Sequence, residues 1–185
     1  MIVNYTESGW QIITQRSHGL LAAQICGHWA KDNQPSRWVD TLIATAEQHI
    51  QFVHGTDHKS ANFIDQLKGK REILVEICEH HQREVGRSYS LLEFCDAFSL
   101  LICQGLIQPE QRKIEISNGP DGIAYEMHSE GDRLIVSPWP FEVNSFTATY
   151  ESRTLTALTY SNTADFRRAI ESAKTVTHMV NIAKA

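Results

Sequence analysis

The pattern of apolar and polar residues divides the chain into a helix-rich first part and a strand-rich second part. Apolar residues recur at the helical period in three early segments. We therefore predict helices over residues 17–30, 36–53 and 70–85. A fourth segment, 90–104, is apolar on almost every side, which is typical of a buried central helix. Ser90 and Glu93 predict a capping box at its start.

From Arg112 onward, the helical period gives way to short segments separated by turn residues. We predict strands over residues 113–116, 123–127, 133–136, 142–150 and 153–160. The short separators favour an antiparallel meander. Two further strands, 2–5 and 10–14, flank the turn residues 7–9 and predict an N-terminal hairpin.

Together these elements predict a single domain of the α+β class over residues 1–185. A helical core over residues 17–105 is expected to precede a β-rich part over residues 112–160. The N-terminal hairpin, residues 2–14, is expected to join the sheet. A C-terminal helix over residues 164–182 is expected to close the fold.

The composition is that of a globular protein and argues against a nucleic-acid partner. Hydrophobic residues make up 42% of the chain, and the formal net charge is -5, whereas nucleic-acid-binding proteins usually carry a basic stripe. The four cysteines form no Cys-x-x-Cys pair, which indicates buried free thiols in a reducing cytosol. No apolar stretch reaches the ~18 residues of a membrane span, so we expect a bacterial-type cytoplasmic protein without a membrane partner.

Four ionisable residues lie on the apolar stripes of the four predicted core helices, and these are His18, His49, His81 and Asp96. A single buried histidine is more often a hydrogen-bonded core residue than a ligand. Four such residues on neighbouring helices fit a site inside a helix bundle. Imidazoles with a carboxylate suit Zn²⁺, Fe²⁺ or Mn²⁺. The alternative is a buried hydrogen-bond network with a structural role only.

Three segments resemble a family of bacterial proteins known only as a domain of unknown function. Residues 17–22 with 28–29 are similar to the family's opening pattern H-x-x-L-A…W. Residues 91–103 are similar to its pattern D-x-L-S-L-x-x-C, and residues 134–141 contain its Pro-Trp-Pro-Phe motif. This last motif is the most specific of the three, and the resemblance covers nearly the whole chain.

That family has the layout of a distant HD-type helical domain, whose members are mostly metal-dependent phosphohydrolases. The resemblance implies an HD-like helical bundle with an antiparallel sheet and a closing C-terminal helix. His18 and Asp96 match the first and last positions of the HD pattern. In the middle, the family's Glu-His-Asp is replaced by Glu47, Gln48 and His49, so the His-Asp pair is lost.

Two functions are compatible with this resemblance. In the first, His18, His49 and Asp96 hold a Zn, Mn or Fe ion, and the substrate is a small phosphate ester. Glu47 or His81 would then serve as general base or orienting group. In the second, the protein is a non-catalytic binding or regulatory protein with a degenerate site, which the loss of the His-Asp pair favours.

The Pro-Trp-Pro-Phe motif adds a candidate binding surface. If the segment is extended, Trp139 and Phe141 project to the same side. They form either an aromatic plug between sheet and helices or a pocket wall on which a substrate ring stacks. His128 and His178 are isolated in the sequence and are expected at the surface.

Overall fold

A computed structural model of the chain describes residues 1–47, 82–105 and 112–185. These residues form a seven-stranded mixed sheet, curled into a half-barrel, with helix and strand in roughly equal amounts. The strands are β1 (Ile2–Thr6), β2 (Gly9–Ile13), β3 (Ile114–Asn118), β4 (Ala124–Glu130), β5 (Arg133–Ser137), β6 (Ser145–Leu155) and β7 (Thr175–Lys184). The α-helices of the described residues are α1 (Gln15–Gly27), α2 (Trp38–Glu47), α3 (Gln82–Cys103) and α4 (Thr163–Ser172).

The sheet has the strand order β1-β2-β6-β7-β5-β4-β3. Neighbouring strands are antiparallel except β5 and β7, which pair in parallel from Arg133–Asn181 to Val136–Lys184. The N-terminal hairpin is present, and β2 pairs with β6. Strand β7 therefore lies at the centre of the sheet and joins its two halves.

The predicted fold class, an HD-like helical bundle with an antiparallel sheet and a closing helix, is wrong. The sheet is mixed and carries about as much of the described chain as the helices do. The predicted closing helix ends at Ser172, and residues 175–184 form β7 instead. Residues 177–180 alternate between exposed and half-buried positions, and this period of two is that of a strand.

The central helix is longer than its sequence pattern predicts. Helix α3 begins at Gln82 and continues without a break through Gly86 and Ser90. The predicted helix end at residue 85 and the predicted capping box at Ser90 are therefore both wrong. A glycine inside a helix costs only about 1 kcal/mol relative to alanine, and the densely packed second half of α3 offsets that cost. The predicted helices over 36–53 and 70–85 fall partly outside the described residues.

An aromatic cluster holds the helices against the sheet. The Phe94 ring meets the Trp29 ring edge-on, with centroids 5.0 Å apart, and the Tyr125 ring with centroids 5.2 Å apart. Phe141 packs edge-on against Trp29 at 5.8 Å and forms an isolated bridge with it through the backbone. Edge-to-face pairs of this kind add to the free energy gained from burial. The cluster thus joins α3, β4 and the Pro-Trp-Pro-Phe segment to Trp29, which lies just beyond the end of α1.

Helix α1 takes the place of a strand beside β6. Strand β2 pairs with β6 only from Arg153 to Leu155, and two polar side chains of α1 continue the pairing. The Ser17 hydroxyl donates to the Glu151 carbonyl at 2.9 Å and accepts from its N–H at 2.6 Å. The Gln24 amide does the same with Thr149, at 2.9 Å for each bond. The exposed backbone groups of β6 are thereby satisfied without another strand.

None of the helices that the structure describes combines the length and apolar character that crossing a bilayer requires.

Candidate functional site

A histidine and a carboxylate meet between α1 and α3. The His18 Nε2 atom lies 2.7 Å from the Ser99 hydroxyl and 3.4 Å from Oδ1 of Asp96. His18 and Ser99 are fully buried, whereas 27% of the Asp96 side chain is exposed. His18 and Asp96 each have at least one further interaction. The structure thus brings together the first and last residues of the predicted metal site.

Hydrogen bonds indicate which protons this site holds in the absence of a metal. The Ser99 hydroxyl donates to the Asp96 backbone carbonyl at 2.9 Å. The hydroxyl then accepts at its other side, so His18 Nε2 carries a proton directed at Ser99 and Asp96. This is a buried hydrogen-bond network, as the alternative hypothesis requires. A metal at Nε2 would displace that proton.

The distance between the two ligand atoms also fits a metal site. Two ligands placed 2.0–2.1 Å from a tetrahedral Zn²⁺ ion lie about 3.3 Å apart, and His18 Nε2 and Asp96 Oδ1 are 3.4 Å apart. Within residues 1–47, 82–105 and 112–185, no group of three or more His, Cys, Asp or Glu residues is arranged to hold a metal. A complete site therefore needs a further ligand besides these two.

The other predicted site residues come from the segment after α2. His49 and His81 lie outside the described residues, as does the side chain of Glu47, the last residue of α2. Gly19, next to His18, sets how closely α2 approaches. A Cβ atom at Gly19 would lie 2.8 Å from the Ala46 carbonyl oxygen, so only glycine allows this contact. The end of α2 is thereby packed against the turn that carries His18.

Buried sulfur atoms lie on the same two helices. The thiols of Cys26 and Cys95 are buried and hydrogen-bonded to each other. This hydrogen bond lowers the pKa of Cys26, whereas burial raises the pKa of Cys95. Burial also raises the pKa of Cys103 to about 12. The predicted state of free buried thiols holds for these three cysteines, and Cys78 lies outside the described residues.

The two predicted pocket-wall residues occupy different environments. Phe141 is 4% exposed and belongs to the aromatic cluster of the core. Trp139 is half-buried, packs edge-on against Phe141 with centroids 5.0 Å apart, and donates its indole N–H to the Val143 carbonyl at 2.9 Å. The Trp139 ring thus covers Phe141 from the solvent side.

A second polar network lies between the strands and was missed in the sequence. His178, expected as an isolated surface residue, is half-buried, lies 2.7 Å from the Ser152 hydroxyl and stacks on Tyr150 with centroids 4.7 Å apart. Asn4 and Gln11 complete the network from the hairpin. The signal in the sequence was the alternation of 175–184, which places His178 on the core-facing side of a strand.

The hydrogen bonds of this network run in one direction. Asn4 Nδ2 donates to the Cys103 carbonyl at 2.7 Å and to Gln11 Oε1 at 3.0 Å. Gln11 must then present its Nε2 to Ser152, at 3.3 Å. The Ser152 hydroxyl accepts there, and among the described residues its proton has no acceptor other than His178 Nε2 at 2.7 Å, so Ser152 donates to His178. A backbone carbonyl thus determines the imidazole tautomer at the other end of the network.

We expect neutral His178 to carry its proton on Nδ1. Two-dimensional ¹⁵N–¹H correlation across the imidazole ring at alkaline pH measures this directly, with His128 as an internal comparison. In Gln11→Glu, a carboxylate that only accepts should draw the Ser152 proton and move the His178 proton to Nε2. An Nε2–H tautomer in the unsubstituted protein, or no change in the variant, would contradict the assigned direction.

Taken together, these features define a protein of four helices and a curled, seven-stranded mixed sheet, with a histidine–carboxylate site between two of the helices. The chain belongs to the family described as "Protein of unknown function (DUF3891)", whose model matches residues 1–59 and 48–157. This match confirms the prediction that the chain belongs to an uncharacterised family. No curated protein and no solved structure is significantly similar to the chain.

Proposed function

We propose that this protein binds a divalent transition metal through His18 and Asp96 and hydrolyses small phosphate esters. One observation carries the proposal: these two side chains, 78 positions apart in the sequence, meet with their ligand atoms 3.4 Å apart. Imidazole and carboxylate are common ligands of Zn²⁺, Mn²⁺ and Fe²⁺. The partly exposed Asp96 carboxylate would form the side of the site that a substrate reaches.

The surrounding residues are suited to hold these ligands in place. His18 is fully buried, so its ring is already held in one orientation before a metal arrives and loses little conformational freedom on binding. A metal at His18 Nε2 would take the place of the 2.7 Å hydrogen bond to the Ser99 hydroxyl. When bound, a divalent metal would polarise a phosphoryl oxygen and activate a water.

Three further residues enter the proposal from the sequence pattern alone. His49 would supply the third ligand. Glu47 or His81 would take the proton from the attacking water as general base. The close contact of α2 with the turn of His18, at Gly19 and Ala46, is consistent with Glu47 being near the site.

A second candidate function is that of a non-catalytic binding or regulatory protein. It is favoured by the full burial of His18 and by the hydrogen bonds that link His18 Nε2, the Ser99 hydroxyl and the Asp96 backbone carbonyl. A buried polar network of this kind stabilises one arrangement of helices without any metal.

Metal analysis separates the two candidates. We expect near-stoichiometric Zn, Mn or Fe in the purified tag-free protein by inductively coupled plasma mass spectrometry. In His18→Gln and Asp96→Asn, the bound metal should fall at least about 10-fold. His178→Gln is the matched control, because His178 also lies 2.7 Å from a serine hydroxyl but has no ion pair with a described carboxylate.

Activity provides the second arm of the test. The metal-loaded protein should hydrolyse p-nitrophenyl phosphate, and Asp96→Asn should lower the rate together with the metal content. Absence of metal after incubation with Zn²⁺, Mn²⁺ and Fe²⁺ would overturn the metal site. Stoichiometric metal without hydrolysis of a phosphate-ester panel would reject the hydrolase and support the binding role.

A further inference from the structure

We propose that a groove beside α1 binds small organic anions through Arg16 and Arg153. The groove encloses about 550 Å³, which is within the range of small-molecule sites. It lies beyond the end of β2, where the Ser17 and Gln24 side chains of α1 border β6 in place of a strand. Its lining includes Arg16 and Leu20 from α1, and Ile12, Glu151, Arg153 and Thr177 from the strands.

Arg153 is already held in a fixed orientation. Its Nη1 donates to the Ile170 carbonyl at 2.8 Å, and its Nε donates to the Thr175 hydroxyl at 3.3 Å. A guanidinium has five N–H donors, so these two bonds leave three for a ligand. Because the side chain is ordered beforehand, binding an anion costs less conformational entropy than it would at a free arginine.

Arg16 supplies the second positive charge. Its side chain is exposed and forms no ion pair with any described residue. Glu151 is the one carboxylate among the lining residues, so the lining carries a net charge of about +1. Guanidinium groups bind carboxylate and phosphate oxygens with two parallel hydrogen bonds. The charge therefore selects an oxyanion.

The remaining lining indicates what else such a ligand carries. The Thr177 hydroxyl can donate a further hydrogen bond to a ligand, and so can the Thr175 hydroxyl, which only accepts in its bond with Arg153. Ile12 and Leu20 supply apolar surface for a carbon skeleton. The groove thus suits a small molecule with one carboxylate or phosphate group. It does not involve the side chains of His18 and Asp96, so this inference is independent of the proposed metal site.

Titration at low ionic strength tests the groove. We expect saturable binding by calorimetry of inorganic phosphate, glycerol phosphate or lactate, with amide shift changes at Arg16, Thr149 and Thr177 in ¹⁵N spectra. The comparison of phosphate with carboxylate probes identifies the preferred group. Arg153→Lys keeps the charge but removes the planar donor array, and it should weaken binding about 10-fold.

Two other variants make the result specific. Arg16→Gln is at an exposed position, so it should leave the melting temperature unchanged and weaken binding several-fold. Arg133→Gln removes another exposed charge, on β5 and outside the groove, and should leave the affinity unchanged. No saturable binding, equal weakening in Arg133→Gln, or shift changes away from the groove would overturn the proposal.

Discussion

Phe94→Ala should lower the free energy of unfolding by about 3–5 kcal/mol, the largest loss that we expect from a single side chain. Phe94 is fully buried and meets the rings of Trp29, Phe98 and Tyr125 with centroids 5.0–5.9 Å apart. Its removal deletes apolar contacts and leaves a cavity that the rigid neighbouring rings fill only in part. Urea unfolding followed by tryptophan fluorescence measures the loss.

The matched control is Tyr89→Ala on the same helix. Tyr89 is 66% exposed, so its removal should change the stability by no more than about 0.5 kcal/mol. Both variants replace one aromatic ring with alanine within α3, so the change in helix propensity contributes about equally to the two changes in stability. A loss below about 1 kcal/mol for Phe94→Ala would contradict the central place of the aromatic cluster.

Gly9→Ala should cost about 3 kcal/mol or more, because a strained backbone and a steric clash add at this position. Gly9 has a φ of 129°, and a Cβ atom there would lie 2.2 Å from the Leu155 carbonyl oxygen. The obstacle is backbone of β6, which cannot move without breaking its pairing with β2. Chemical unfolding gives the change in free energy.

Gly131→Ala separates the two contributions. Gly131 lies in the turn between β4 and β5 with a φ of 62°, and a Cβ atom there meets nothing within 4 Å. Only the backbone cost of about 1–2 kcal/mol should appear. If both variants lose the same stability, the close approach of Gly9 to β6 has no energetic weight and the prediction fails.

Local patterns in the sequence predict much of the strand-rich part. Alternation and turn residues identify the N-terminal hairpin and place β3, β4 and β5 within a few residues of their observed ends. The predicted break at residues 151–152 is absent, because β6 continues unbroken between β2 and β7. Such long-range pairing is not encoded in the turn propensity of two residues.

The C-terminal error has a similar cause. Asn162 caps α4, with its side chain accepting from the Asp165 N–H. Helix propensity does not distinguish where such a helix ends, and the strand over 175–184 gains its stability from β5 and β6 on its two sides. The parallel pairing with β5, which no local pattern indicates, also makes the sheet mixed.

The sequence was informative about where polar residues are buried. A carboxylate in the middle of an apolar helix directed attention to Asp96, and the structure places that carboxylate beside His18. The role of Ser99 was missed, since a serine inside a helix has no distinctive pattern. The network of His178 was missed for a different reason: it depends on four strands that meet only in the folded sheet.

The position of β7 has a consequence for biosynthesis. Strand β7 follows all the other described strands in the sequence, yet it separates β6 from β5 at the middle of the sheet. Until it emerges from the ribosome, the nascent chain holds two incomplete half-sheets whose facing edges are open. Open strand edges pair readily with other chains. This interval is when we expect aggregation to compete most strongly with folding, and when a chaperone would have its greatest effect on yield.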